Sequence, residues 1–129
     1  MVVECRAVRP SAELAMRIRP AYDPHRSDFD LTLGRRYVVL GLSFIEGVIW
    51  VDIPTDGGWP QTVPIDLFQV IDARCSRHWE VRYTASGELT LLPSALQAPD
   101  FASRVADDDP AAVAVYRDLC ERMRMESPG

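Results

Sequence analysis

A chain of 129 residues, 47% hydrophobic and 26% charged, has the size and balance of one folded domain that builds its own core. The net charge of −5 argues against nucleic acid as a partner, because phosphate binders draw affinity from a basic surplus. No apolar run reaches the roughly 18 residues that a membrane-spanning helix needs, so a membrane role is excluded.

In chain order, "VVECRAV" at the N-terminus reads as a short strand. "SAELAMRI", Ser11 to Ile18, has an N-cap and good helix formers. Arg19 to Asp30, with two prolines and mixed charge, reads as an irregular lead-in. From Leu31 the pattern turns to β structure. "RRYVVLGLSF" and "VIWVDI" form a hairpin signal around Gly47, and their almost continuous apolar character predicts cover on both faces. Pro54 to Pro64, with three prolines and a Gly-Gly pair, is expected to be a loop. "LFQVID" predicts a third strand. "HWEVRYT" alternates, with Trp79, Val81 and Tyr83 on one face. "ASG" then turns the chain into "ELTLLP".

The C-terminal region reads as a helix. Asp109 is an N-cap and Pro110 fits the first helical position. Val113, Tyr116, Cys120 and Met123 make an apolar stripe, and the arginines and acids between them fill the other side. Asp107 to Asp109 suit the positive end of the helix dipole, while Arg122 and Arg124 suit the negative end. The expected architecture is a single α+β domain over residues 1–129. It comprises an irregular N-terminal extension (1–30), a small five-stranded antiparallel barrel (31–92) and a C-terminal helical segment (99–125).

Candidate chemistry centres on "ARCSRH", Ala73 to His78. Arg74, Arg77 and His78 could lower the pKa of Cys75, but a nucleophile also needs a base held by a third group. The preferred reading is a connection between strands. In it Trp79 anchors the core, Asp72 accepts from turn amides, and Arg74 and Arg77 are solvated or paired. Cys5, Cys75 and Cys120 are too dispersed for a disulfide framework or a zinc site and read as reduced thiols. His25 and His78 match no metal spacing, and Asp107 to Asp109 lack the pattern of a calcium loop. "TDGGWP" lacks the lysine and following helix of a phosphate-binding loop, and no nucleophile elbow occurs. No cofactor is expected.

What remains is a binding surface. Asp52, Asp56, Trp59 and Asp66 lie in or beside the Pro54–Pro64 segment. An aromatic among carboxylates suits a basic protein partner. The competing reading has Trp59 covering one end of the barrel.

All 14 basic residues are Arg, with no Lys and no Asn, which reads as the codon bias of a GC-rich bacterial genome. "MVVECRAVRP" lacks the apolar core and cleavage site of a signal peptide, so a cytoplasmic location is expected. "LTLGRRYVVLGLSF…VIWVDI" with "LFQVIDARCSRHWEVR" resembles small, uncharacterised bacterial SH3-like barrel domains, some encoded near toxin genes as immunity-type proteins. The resemblance spans about Leu31 to Leu92. It implies binding without catalysis and supplies no functional residues.

The expected function is therefore a non-catalytic protein-binding module, with a toxin-neutralising immunity protein as its specific form. The alternatives are three. One is a nucleic-acid-binding or regulatory SH3-like domain using Arg35, Arg36, Arg74, Arg77 and Arg82. Another is a thiol-dependent enzyme using Cys75. The third is a homodimer completed by surplus apolar surface on the C-terminal helix.

Overall fold

The computed structural model describes residues 1–18 and 29–126. Most of the expected lead-in, including His25, lies outside the described residues. Among these residues, eight strands and three α-helices form an α+β structure. They are β1 (Val2–Cys5), α1 (Ala12–Arg17), β2 (Arg36–Val38), β3 (Gly41–Ile45), β4 (Val48–Pro54), β5 (Pro60–Pro64), β6 (Phe68–Asp72), β7 (Glu80–Tyr83), β8 (Leu89–Leu92), α2 (Phe101–Ala106) and α3 (Pro110–Met125). The strands make two antiparallel sheets, β2-β1-β6 and β5-β4-β3-β8-β7.

The expected single five-stranded barrel is corrected here: the strands divide between two sheets that do not close on one another. The division falls inside "RRYVVLGLSF", expected as one strand. Val3 pairs with Tyr37 and Val2 with Val38 on one side, while Gly41 pairs with Asp52 on the other. Between them, the Val39 amide donates to Met1 O at 3.0 Å and the Leu40 amide to Asp52 O at 2.7 Å. The chain changes sheets in one residue step and leaves neither amide unpaired.

The apolar run at this step serves two cores. Tyr37, Val39 and Leu42 enter a core that also holds Val3, Cys5, Leu14, Val51, Ile53, Val63 and Leu67, drawn from both sheets and α1. Val38 and Leu40 enter the other, packed against Phe101, Val105, Ala112, Tyr116, Cys120 and Met123. The expected cover on both faces is therefore present along Tyr37–Leu42.

The N-terminus is more integral than a lead-in. β1 is the central strand of its sheet, and Val3 and Cys5 are buried. Helix α1 starts where expected, with the Leu14 amide donating to Ser11 Oγ at 3.2 Å. A second correction concerns the Pro54–Pro64 loop. Its second half is β5, registered on β4 from Pro54↔Pro60 to Trp50↔Pro64. β5 is an edge strand with its prolines at its two ends, so their missing amides interrupt little of the ladder. Val63 between them is fully buried.

The hairpin signals are realised. Glu46 (φ 49°) and Gly47 (φ 78°) both take left-handed backbone between the paired Ile45 and Val48, as a two-residue primed turn requires. α3 runs from Pro110, with the Ala111 amide on Asp109 Oδ1 at 3.1 Å. Its buried positions are Ala112, Tyr116, Cys120 and Met123; Val113, expected in the stripe, is only partly covered. The stripe lies on the chain's own β2–β3 junction, so it is not surplus surface waiting for a dimer partner. No helix among the described residues is long and apolar enough to cross a membrane.

Gly41 sits close against β8. A Cβ there would lie 2.1 Å from Leu92 Cδ2 and 2.8 Å from the Leu91 carbonyl oxygen. The side chain could yield, but the carbonyl is part of the ladder. Gly41→Ala is expected to destabilise the protein by about 1–3 kcal/mol, measured as a lower urea midpoint at an unchanged slope.

Candidate functional site

A cluster of polar interactions lies around the turn that follows β4. Thr55 and Trp59 close it, with the Thr55 amide donating to Trp59 O at 3.0 Å and the Gly58 amide to Thr55 O at 2.9 Å. Gly58 takes φ +86°, which a side chain would resist. Asp30 braces the turn from outside: its carbonyl accepts from the Asp56 amide at 3.0 Å, and its carboxylate accepts from the Gly57 amide. Trp59 is thus presented on a fixed turn, 44% exposed.

Asp56 points inward. Its Oδ1 accepts from Arg35 at 2.8 Å and from the Tyr37 hydroxyl at 2.7 Å, and its Oδ2 accepts from the Thr32 hydroxyl. The hydrogen bond from Thr32, then those from Tyr37 and Arg35 with the guanidinium charge, hold the Asp56 carboxyl below its ordinary range against the opposing effect of burial. Burial, reinforced by the neighbouring Asp56 charge, pushes the Tyr37 phenol up against the bond it accepts from the Thr32 amide. The Arg35 guanidinium lies 5.5 Å from the Tyr37 ring centroid.

Between this turn, β2 and helix α3 opens a cleft of about 740 Å³. Trp59 and Asp56 line one side, and Val113, Tyr116, Arg117 and Arg124 the other. Arg35 and Arg36 stand on its β2 wall. Below, burial pushes both the Tyr116 phenol and the Cys120 thiol up, so both stay protonated at neutral pH.

Of the four residues expected to bind a partner, the structure brings Asp56 and Trp59 together in this cleft and leaves the other two apart. Asp52 lies on β4 opposite Thr62 and accepts from its hydroxyl; burial pushes its carboxyl up and that hydrogen bond partly offsets the effect. Asp66 is exposed in the 3₁₀ turn Ile65–Leu67 and borders a separate depression with Arg9, Ser11 and Arg17. The sequence reading missed Arg117, Arg124 and Tyr37. Arg117 and Arg124 are seven residues apart on α3, and so share a face, which is a signal the sequence did hold.

The "ARCSRH" connection has its own explanation. Glu126, just beyond α3, receives the Ser76 hydroxyl at 2.7 Å and the Arg77 amide at 3.1 Å, and His78 Nε2 lies 3.8 Å away. Burial pushes the Glu126 carboxyl up, but these hydrogen bonds and the charges of His78 and the N-terminus outweigh it and hold the carboxyl below its usual range. Arg74 pairs with Asp72 through two contacts, at 3.0 and 2.8 Å, and its amide also donates to Asp72, as expected. Trp79 Nε1 donates to Leu40 O at 2.9 Å and its ring packs on both cores. Cys5 and Cys120 are buried, and Cys75 is exposed. Among the described residues, no group of three or more His, Cys, Asp and Glu side chains converges as a metal site.

The Asp56 network sets a pH dependence. Because the folded carboxyl titrates below its unfolded value, its contribution is present above about pH 4 and is lost as pH falls through the lower folded value. Asp56→Asn is expected to cost about 2 kcal/mol at neutral pH. The gap between the two proteins should narrow in acid, as read from urea midpoints between pH 7 and pH 2; a constant gap would contradict this account.

Comparison of this chain with protein-family models, curated proteins and solved structures finds no match.

Proposed function

We propose that this chain is a non-catalytic protein-binding module whose docking site is the cleft between the Thr55–Trp59 turn and α3. One observation carries the reading: a single open cleft gathers a half-exposed Trp on a rigid turn, two Tyr and four Arg. Trp, Tyr and Arg are the residues that most often dominate the energy of protein interfaces. A pre-ordered turn also loses little conformational entropy on binding.

The charge of the cleft points to the partner's chemistry. Asp56 is consumed by internal donors, and Arg117 makes no hydrogen bond or ion pair among the described residues. Four guanidinium groups face three carboxylates here, on a chain whose net charge is −5. The segment that fits is acidic with an apolar anchor, rather than the basic partner that composition suggested. The SH3-like likeness, the bacterial cytoplasmic setting and toxin neutralisation belong to the same proposal. The five-stranded antiparallel sheet supports the first, and the sequence resemblance and composition support the others.

The reading is tested by capture on the immobilised wild-type chain from extract of its own cells, followed by titration of the purified partner. Trp59→Ala and Arg117→Glu should each weaken Kd by about 30-fold, equivalent to about 2 kcal/mol. Asp66→Asn should leave Kd unchanged. A partner that binds the Trp59→Ala/Arg117→Glu double variant as tightly as wild type would overturn the assignment.

A further inference from the structure

The five-stranded sheet ends on an open edge. Among the described residues β7 pairs only with β8, and all four of its residues are exposed. Val81 is 65% and Tyr83 73% exposed, although they lie on the face that the register carries inward through Leu91 to buried Leu42 and through Leu89 to Phe44. The apolar layer of the first core therefore runs on past the cover that the described residues give it. β5, at the other edge of this sheet, begins and ends on proline.

The backbone of β7 has a definite phase. The Thr84 amide donates to Glu88 O at 2.9 Å, which turns Thr84 toward β8. By the strand's alternation Arg82 and Glu80 also turn toward β8, and the amide and carbonyl groups of Val81 and Tyr83 point to the open side.

We propose that β7 pairs antiparallel with β7 of a second copy of this chain, about a twofold axis centred on Val81, joining the two sheets into one. Such an axis keeps side chains on their own faces, so only registers that pair odd with odd positions and even with even are allowed. Centring on Glu80 sets two glutamates opposite each other, and centring on Arg82 sets two arginines opposite each other, both destabilising. Centring on Val81 places Glu80 opposite the second copy's Arg82, twice over, on one face. On the other face it places Val81 against the second copy's Val81 and lays each exposed Tyr83 along the joined edge. The same register meets the outward-pointing Val81 amide and carbonyl with their equivalents. Among these registers the one centred on Val81 forms the two opposite-charge pairs, and it is self-complementary. It uses no residue that lines the cleft.

The test is the native mass of the purified full chain as a function of concentration, by sedimentation equilibrium. The 14.5 kDa chain should approach twice that mass as concentration rises toward roughly 1 mM. Arg82→Glu sets acid against acid and should weaken self-association at least tenfold. Glu80→Arg combined with Arg82→Glu restores opposite charges across the axis and should recover most of the loss. Val81→Pro removes only an outward-facing amide and should yield a folded monomer by circular dichroism. If that variant fails to fold, the charge-reversal set decides alone. A wild-type chain that stays monomeric throughout, as it would if the edge serves a foreign strand, overturns the proposal. So does an Arg82→Glu variant that dimerises as well as wild type, or a double reversal that does not recover.

Discussion

The structure depends on the single step from Val39 to Leu40. Val39 hands its amide to Met1 and its side chain to the core between the sheets. Leu40 hands its amide to Asp52 and its side chain to the core beneath α3. Both side chains are fully buried. A polar residue at either position would face an apolar core without a partner, and a one-residue shift would send each side chain to the wrong core. The continuous apolar run is the sequence's solution to a strand that separates two interiors.

The second core is closed by contacts from distant parts of the chain. Trp79 reaches back to the Leu40 carbonyl, so the loop after β6 is tied to the sheet switch itself. Glu126 ties the same loop to the end of α3 through Ser76 and Arg77. The residues that look most like chemistry in the sequence, a Cys, a Ser and a His between arginines, thus divide into an exposed thiol and a set that receives a helix end. Ser76 and His78 are drawn toward Glu126, and the density of functional groups follows from joining three elements at one point.

Local signals proved legible where one residue decides the geometry. Ser11, Gly47, Asp109 and Pro110 mark their helix ends and turn because capping and positive φ are properties of single residues. What could not be read was which strand pairs with which. Tyr37 and Phe44 carry the same apolar signature, yet they belong to different sheets, because Tyr37 pairs with Val3 at the far N-terminal end while Phe44 pairs across the local hairpin with Ile49 and, from the other side, with distant Leu89. β5 was hidden for a related reason: edge position makes proline tolerable, and edge position is a tertiary fact. The site divided in the same way. Trp59 and Asp56 share a turn and stayed together, whereas their neighbours across the cleft, Arg117 and Arg124, come from a helix about sixty residues later.

The acidic balance of the chain and the basic tilt of its cleft are consistent once the carboxylates are placed. Asp56, Asp72, Asp109 and Glu126 are each spent on donors within the fold, and the lowered carboxyl values of Asp56, Asp109 and Glu126 record that use. A carboxylate already accepting three hydrogen bonds has little left for a partner, so counting acids in the sequence overstates the negative charge the surface can use. Arg117, projecting into the cleft from α3 and making no hydrogen bond or ion pair among the described residues, keeps its full capacity. Net charge steers approach over distances up to about a Debye length. What a partner meets on contact is set by the groups the fold has left uncommitted, and in this cleft those are guanidinium and indole.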